Sequence, residues 1–254
     1  MPWLNIKRIT LRGCTTEGII TEDVDIPVDE GNVLLKGTIH SSDSTPSQAP
    51  FILNLPGLLD DRTSYFVQYY TERFARAGYY VLAWDYRAHG ETAEQTGKNW
   101  IKQLPEIFAD LNRVIDWLLS SQSDKLLDEK IALFGRSLGG AIILTRGYRD
   151  PRARVLIPLC TRYDYGKFKL KFPPELVKQI SAKYFLEKKP SNNDRILTAH
   201  CHDDKQIPFE NLTLIVDHLG LSKENVIIYD KGGHSFKGHR EEIFRHALDF
   251  LQRL

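Results

Sequence analysis

Between residues 20 and 39 apolar and polar positions alternate, running through Ile20, Glu22, Val24 and Ile26 and then Val33, Leu35, Gly37 and Ile39, with Asp29-Glu30-Gly31-Asn32 between them. A period of two puts one side of each segment against a core and the other against water, so an antiparallel strand pair joined by a turn is expected. Residues 41–50, rich in Ser, Pro and Asp, read as a loop, and residues 51–55 as a short apolar strand. The pattern then changes to an alternation of helical and strand periods. Helices are expected over 64–77, 104–121, 138–148, 209–219 and 241–254, and strands over 79–84, 130–134, 153–159, 195–200 and 225–229. Such alternation implies right-handed crossovers and a mainly parallel α/β sheet with helices on both faces. Leu104, Ile107, Phe108, Leu111, Ile115 and Leu118 recur at helical spacing and form a stripe for packing on that sheet. Residues 160–190 break the rhythm, with Tyr163, Tyr165, Phe168, Phe172, Tyr184 and Phe185 among many lysines, and read as a small cap inserted over the sheet.

Composition narrows the function. A chain of 254 residues fits one domain, spanning 1–254, built on a single sheet. Lys plus Arg (34) nearly cancels Asp plus Glu (33), so no long-range field favours nucleic acid or an anionic membrane, and a small-molecule substrate is expected. Residues 1–10 mix Asn5, Lys7 and Arg8 with isolated apolar positions, unlike a secretory leader, and no apolar run is long enough to span a bilayer. A cytoplasmic protein is the expectation. Three cysteines, Cys14, Cys160 and Cys201, do not make a disulfide framework. Cys160 and Cys201 end strands expected to be neighbours, which leaves a redox pair open beside the free thiols usual in the cytosol.

The chemistry concentrates in three places. Gly135-Arg136-Ser137-Leu138-Gly139-Gly140 follows the apolar run Ile131-Ala132-Leu133-Phe134 and opens a helix, the setting of a G-x-S-x-G nucleophile elbow. Glycines flank the serine because so tight a turn leaves no room for side chains, and the free N–H groups of the following helix, Leu138 first, face charge developing beside the hydroxyl. A serine hydroxyl is a weak nucleophile, so it needs a base within hydrogen-bond reach and a group to orient that base. Candidates follow in His200-Cys201-His202-Asp203-Asp204-Lys205-Gln206-Ile207-Pro208 after one late strand and in Lys231-Gly232-Gly233-His234-Ser235-Phe236 after the next. The alternative for 200–204 is a zinc site, since imidazole, thiolate and carboxylate all suit that ion; alternation along a strand lets at most two or three of these side chains converge.

From about Val33 to the C-terminus, these motifs make the chain resemble the α/β-hydrolase superfamily, and small carboxylesterases including feruloyl or cinnamoyl esterases within it. The resemblance implies Ser137 as nucleophile, His234 as base and Asp204 as the orienting acid, chosen over Asp203 because members place the acid three residues before a Val-Pro or Ile-Pro pair, here Ile207-Pro208. It makes Asp85-Tyr86-Arg87-Ala88-His89-Gly90 a structural turn. It also implies a second oxyanion donor in the loop after the third strand, where Pro56-Gly57-Leu58 stands in place of the usual His-Gly-hydrophobic triplet; Pro56 forgoes the histidine's loop-stiffening bonds while the Leu58 N–H stays available. Arg136, where many members have histidine, reads as a surface or packing residue. No cofactor is implied. The expected reaction is ester hydrolysis through an acyl-enzyme on Ser137, falling in rate as the histidine protonates toward acid pH. Tyr163, Tyr165, Phe168 and Phe172 are expected either to line a pocket for aromatic-acid or medium acyl esters or to anchor the cap. Alternatives left open are an acyl-peptide or prolyl-type peptidase, an acyl thioesterase, and a non-catalytic binding protein on the same scaffold.

Overall fold

The computed structural model describes residues 18–254, so the leader reading of residues 1–10 and Cys14 lie outside it. In chain order the elements are β1 (Ile19–Val28), β2 (Val33–Ser42), β3 (Ala49–Leu55), α1 (Tyr65–Arg76), β4 (Tyr80–Trp84), α2 (Ala93–Thr96), α3 (Trp100–Ser121), β5 (Leu126–Arg136) and α4 (Leu138–Ile142). There follow β6 (Ala153–Leu159), α5 (Pro174–Ile180), α6 (Pro190–Asn193), β7 (Thr198–Cys201), α7 (Glu210–Leu219), β8 (Val226–Tyr229) and α8 (Arg240–Leu251). The strands form one sheet in the order β1-β2-β4-β3-β5-β6-β7-β8. β1 pairs β2 antiparallel from Ile19↔Ser42 to Val28↔Val33, closing at the expected turn, and β2 pairs β4 antiparallel; every other pairing is parallel. This is the α/β-hydrolase architecture.

Strand periodicity sorts the core into two halves. Phe51, Leu53 and Leu55 of β3 and Ile131 and Leu133 of β5 face α3, whose buried stripe is the one read from sequence. The intervening Ile52, Ala132 and Phe134 face α1 and α8, where Tyr70 and Phe74 pack against Phe134 at ring distances of 4.7 and 5.3 Å. Asn54 is the polar exception in β3, its amide donating to the Val67 carbonyl and the Thr71 hydroxyl of α1.

Several boundaries differ from expectation, β5 for instance spanning Leu126–Arg136 rather than 130–134. Helix α3 starts one turn before Leu104 because the Asn99 side chain caps the Lys102 N–H, and Pro105 sits inside the helix. The helix expected over 138–148 is α-helical only to Ile142 and continues as a π-turn over Ile143–Gly147, where the Thr145 hydroxyl donates back to the Ala141 and Ile142 carbonyls. Gly147 lets that turn press on the sheet, since a Cβ there would lie 2.5 Å from a Leu133 methyl. Strand β7 is shorter than expected, with Ile196 making only an isolated bridge to Leu156. No helix among the described residues is long and apolar enough to cross a membrane.

The Asp85-to-Gly90 turn after β4 is a buried polar knot. The Asp85 carboxylate accepts the N–H groups of Arg62 and Glu91 and pairs with the Arg62 guanidinium. Arg87 bridges Asp110 of α3, at 2.7 and 3.0 Å, to Asp29 of the β1–β2 turn, at 2.7 Å. His89 lies buried edge-on to Tyr86 with Nδ1 against the Arg87 carbonyl and is not among the residues that line the Ser137 cavity, as expected of a structural residue. Breaking a buried ion pair from one side leaves an uncompensated charge, so Asp110→Ala should lower stability by about 3 kcal/mol. A urea midpoint within error of wild type, with the slope of the transition unchanged, would show that Asp29 alone satisfies Arg87.

Candidate active site

Strand β5 ends at Arg136 and α4 starts at Leu138, so Ser137 makes the whole turn. Its φ of 58° and ψ of −112° lie where side-chain-bearing residues seldom go, and the surrounding bonds hold it there. The Ser137 N–H donates to the Leu159 carbonyl at 2.9 Å, and its carbonyl accepts from the Ala141 N–H at 3.0 Å and the Thr161 hydroxyl at 2.8 Å. The glycines are required by close approach. A Cβ on Gly139 would lie 2.3 Å from the Leu55 carbonyl oxygen, and one on Gly135 would lie 2.9 Å from the Leu55 Cβ.

His234 rides on a short 3-10 turn after β8, reached through Gly232 and Gly233, both at positive φ. Its Nδ1 lies 2.8 Å from Asp204 Oδ2, which leaves Nε2 for the cavity that the ring lines. The other Asp204 oxygen accepts the N–H groups of Gln206 at 2.8 Å and Ile207 at 3.0 Å. Beneath it, His200 Nε2 lies 2.9 Å from the Ile207 carbonyl and 3.3 Å from Asp204 Oδ2; both are acceptors, so that nitrogen carries a proton. Burial alone would push the Asp204 carboxyl up, but the bonds from His200, His234 and the Ile207 N–H outweigh it and hold the group well below the usual carboxylate range. Asp204 is therefore ionised beside the imidazole at neutral pH.

Asp203 does different work. Its carboxylate accepts the Gly233 N–H at 2.7 Å and the Gly232 N–H at 3.3 Å, fixing the backbone of the histidine turn while Asp204 fixes the ring. The His234 carbonyl is held in turn by the Cys160 thiol at 3.4 Å and the Arg136 guanidinium at 3.4 Å. Arg136 is no surface residue: it pairs with Asp60 at 2.5 Å and lies 4.3 Å over the Phe66 ring. The loop after β3 is thus stiffened without a histidine at position 56, by this ion pair and by the Tyr86 hydroxyl donating to the Pro56 carbonyl at 3.1 Å. Among the described residues the amides of Leu58 and Leu138 make no hydrogen bond within the chain, and both residues line the cavity.

That cavity, of about 390 Å³, is bounded by Ser137, His234 and the Gly57-to-Asp60 loop on one side and by Tyr165, Phe168 and Phe172 on the other. Phe168 and Phe172 stack 5.8 Å apart, and Tyr165 meets Phe108 of α3 edge-on, so these aromatics both anchor the segment between β6 and β7 and form a wall. Tyr163, grouped with them from the sequence, is not part of that wall. Its hydroxyl lies 3.0 Å from His218 Nδ1 and its N–H is bound by Asn211, which docks it on α7. Trp100, Arg162 and Gln206 line the cavity without having been singled out by any motif.

The residues weighed as a zinc site from 200 to 204 diverge: His202 stacks on Phe209, Cys201 is buried in the sheet, and Asp203 turns to the glycine amides. Cys160, Asp204 and His234 do offer ligand atoms within 4.8 Å of one another. Those atoms are already spent on the Asp204–His234 bond and the Cys160 contact with the His234 carbonyl, and burial pushes the Cys160 thiol far above its ordinary range, against the thiolate a metal requires. Cys160 and Cys201 are both free.

An α/β-hydrolase sheet with a serine on a strained turn and a carboxylate-bound histidine beside the same cavity defines a serine hydrolase. The sequence profile of the serine aminopeptidase S33 family matches residues 52–208, and the chain belongs to that family of α/β-hydrolase enzymes. A search of curated proteins finds no significant match. Among solved structures, the chain is similar to Est1E from Butyrivibrio proteoclasticus with ferulic acid bound, at a TM-score of 0.73 and 18% identity over 90% of this chain and 98% of that one. An esterase from Pyrococcus furiosus superposes at 0.68 with 20% identity, over 92% and 91% of the two chains. An acylaminoacyl peptidase from Pyrococcus horikoshii superposes at 0.72 with 18% identity, covering 93% of this chain but 41% of the peptidase.

Because the folded Asp204 is held below the value of about 3.9 that an unfolded aspartate has, its contribution to stability is complete above that value and is lost as pH falls toward the folded one. The gap in thermal midpoint between wild type and Asp204→Asn should be widest near neutral pH and narrow steadily below about pH 4. A gap that stays constant from pH 7 to pH 3 would mean that the carboxylate network stores no such energy.

Proposed function

We propose that the chain is a serine carboxylesterase, and the observation that carries this is the 2.8 Å bond from His234 Nδ1 to Asp204 beside a cavity that Ser137 also lines. In the reaction, Ser137 Oγ attacks the ester carbonyl carbon while His234 Nε2 takes its proton. The carbonyl oxygen becomes an oxyanion that accepts the N–H groups of Leu58 and Leu138, donors that need no reorganisation because nothing in the chain competes for them. Asp204 keeps the imidazole in the useful tautomer and stabilises its cation without taking the proton itself. Collapse of the tetrahedral intermediate breaks the ester C–O bond, and the proton on His234 passes to the departing alcohol. Water then enters, gives a proton to His234, attacks the acyl-enzyme through a second oxyanion, and releases the acid as the proton returns to Ser137.

The acyl group we favour is aromatic or of medium length. Tyr165, Phe168, Phe172, Trp100 and Leu104 offer apolar surface, and an aryl ring against such a wall gains stacking as well as burial. The similarity to Est1E, a protein solved with ferulic acid, supports the same choice. An amide-cleaving reading draws on the fold shared with the acylaminoacyl peptidase and is the natural comparison arm.

A fluorophosphonate probe should label the wild type and not Ser137→Ala; an unlabelled wild type that is folded would sink the reading. On a panel of aryl-acid esters, acyl esters of graded length and peptide anilides, kcat/KM should be highest for the aryl-acid or medium acyl esters. Asp204→Asn should lower kcat by about 10³ to 10⁴-fold by presenting the wrong tautomer, and Asp203→Asn by far less. Equal losses in the two variants would reverse their assignment.

A further inference from the structure

Arg162 follows β6 and lines the same cavity as Ser137, but among the described residues no carboxylate forms an ion pair with it. Its guanidinium lies 5.0 Å over the Phe168 ring and makes one long bond, 3.3 Å, to the Gln206 carbonyl. The acids around it are already engaged. Asp164 takes the Lys183 ammonium at 2.6 Å and the Gly166 N–H at 2.8 Å, and Asp204 is filled by its histidines and backbone amides. Burial dominates the guanidinium's surroundings and lowers its pKa; Tyr165, Asp204 and Asp164 are too weakly coupled to offset it. The other guanidinium in the cavity wall, Arg136, is neutralised by Asp60.

The cavity wall therefore carries one half-buried guanidinium without an ion-pair partner, set over an aromatic ring. A guanidinium presents paired N–H groups in a fixed plane that match a carboxylate, and stacking on Phe168 orients that plane at small entropic cost. Outside the cavity the field has the same sign. Lys205, Lys231 and Lys237, against the single carboxylate of Asp203, line a depression that shares Gln206 and His234 with the cavity, and among the described residues none of the three lysines forms an ion pair.

We propose that Arg162 is an anion anchor, and that the esters this site hydrolyses carry a carboxylate that pairs with its guanidinium. The proposal deepens the esterase reading and rests on it for the word ester. A neutral aryl or alkyl ester leaves this half-buried guanidinium without an anion, whereas a carboxylated one supplies it.

Two matched pairs test this. 4-Nitrophenyl hexanoate and 4-nitrophenyl hemiadipate differ by a carboxylate on the acyl side; phenyl acetate and 3-acetoxybenzoate differ by one on the leaving-group side. In the wild type the carboxylated member of at least one pair should have the higher kcat/KM by about tenfold or more, with the ratio shrinking as salt is raised. Arg162→Gln should abolish the ratio and Arg162→Lys restore part of it. A wild-type ratio near one, or a ratio that Arg162→Gln leaves intact, overturns the proposal. A separate arm measures binding of adipate and 3-hydroxybenzoate to Ser137→Ala protein by calorimetry, with and without Arg162→Gln. Binding that depends on Arg162, together with a wild type that turns over no ester, would uphold the anchor and sink the esterase; wild-type turnover with no carboxylate preference and no Arg162-dependent binding would do the reverse.

Discussion

The backbone of α4 lies directly on the carbonyl groups that end β3, and the position of every group around Ser137 follows from that contact. A Cβ on Gly139 would stand 2.3 Å from the Leu55 oxygen and 2.8 Å from the Pro56 oxygen, so only glycine allows the two segments to touch. The contact couples two features that are distant in sequence. One is the strained turn that presents Ser137, and the other is the loop whose Leu58 lines the same cavity. Moving either moves both, and the Tyr86 bond to Pro56 and the Arg136–Asp60 pair then fix the loop from its outer side. A pair of amide donors is useful only if their spacing is set before the substrate arrives, and a contact between backbones sets it more firmly than side chains would.

Asp203 and Asp204, adjacent in sequence, divide the task of placing His234. One carboxylate holds the imidazole at Nδ1 and the other holds the amides of Gly232 and Gly233, so the ring and its backbone are referred to the same end of β7. The Cys160 thiol and Arg136 bind the His234 carbonyl from the serine side. The turn thus has few ways to move, although its glycines alone would leave it loose. The His200 proton, shared between the Ile207 carbonyl and Asp204, closes the short loop that carries the acid and keeps its charge satisfied while buried.

The alternation of apolar positions made the sheet, its antiparallel start and the α3 stripe legible, because burial of one strand face or one helix face imposes that period. The serine turn was legible for a related reason: steric exclusion selects glycine at fixed offsets from Ser137. What escaped were roles decided by distant partners. Arg136 reads as a surface or packing residue in a string of letters; packing is what the structure shows, but nothing local announces that Asp60 and the His234 carbonyl will converge on it. Tyr163 shares the composition of its neighbours, yet the nearness of His218 and Asn211 sends it to α7. The π-turn after α4 was illegible because it depends on how closely Gly147 approaches Leu133, a packing distance rather than a periodicity.

The cavity joins two demands that usually conflict. In the proposed reaction the Leu58 and Leu138 amides stabilise a developing oxyanion beside the apolar wall of Tyr165, Phe168 and Phe172, where a charge is favoured only if it finds a partner. Partial burial beside that wall likewise disfavours an unpaired charge, and Arg162 is such a charge. Stacking on Phe168 tempers the cost in the empty cavity without removing it, since a ring face is a weaker partner than a carboxylate. A site arranged this way discriminates by completion: a substrate that brings the missing anion relieves a penalty that a neutral one leaves in place. Selectivity for charge then arises from the missing anion beside Arg162 in the free protein as much as from any contact made in the complex.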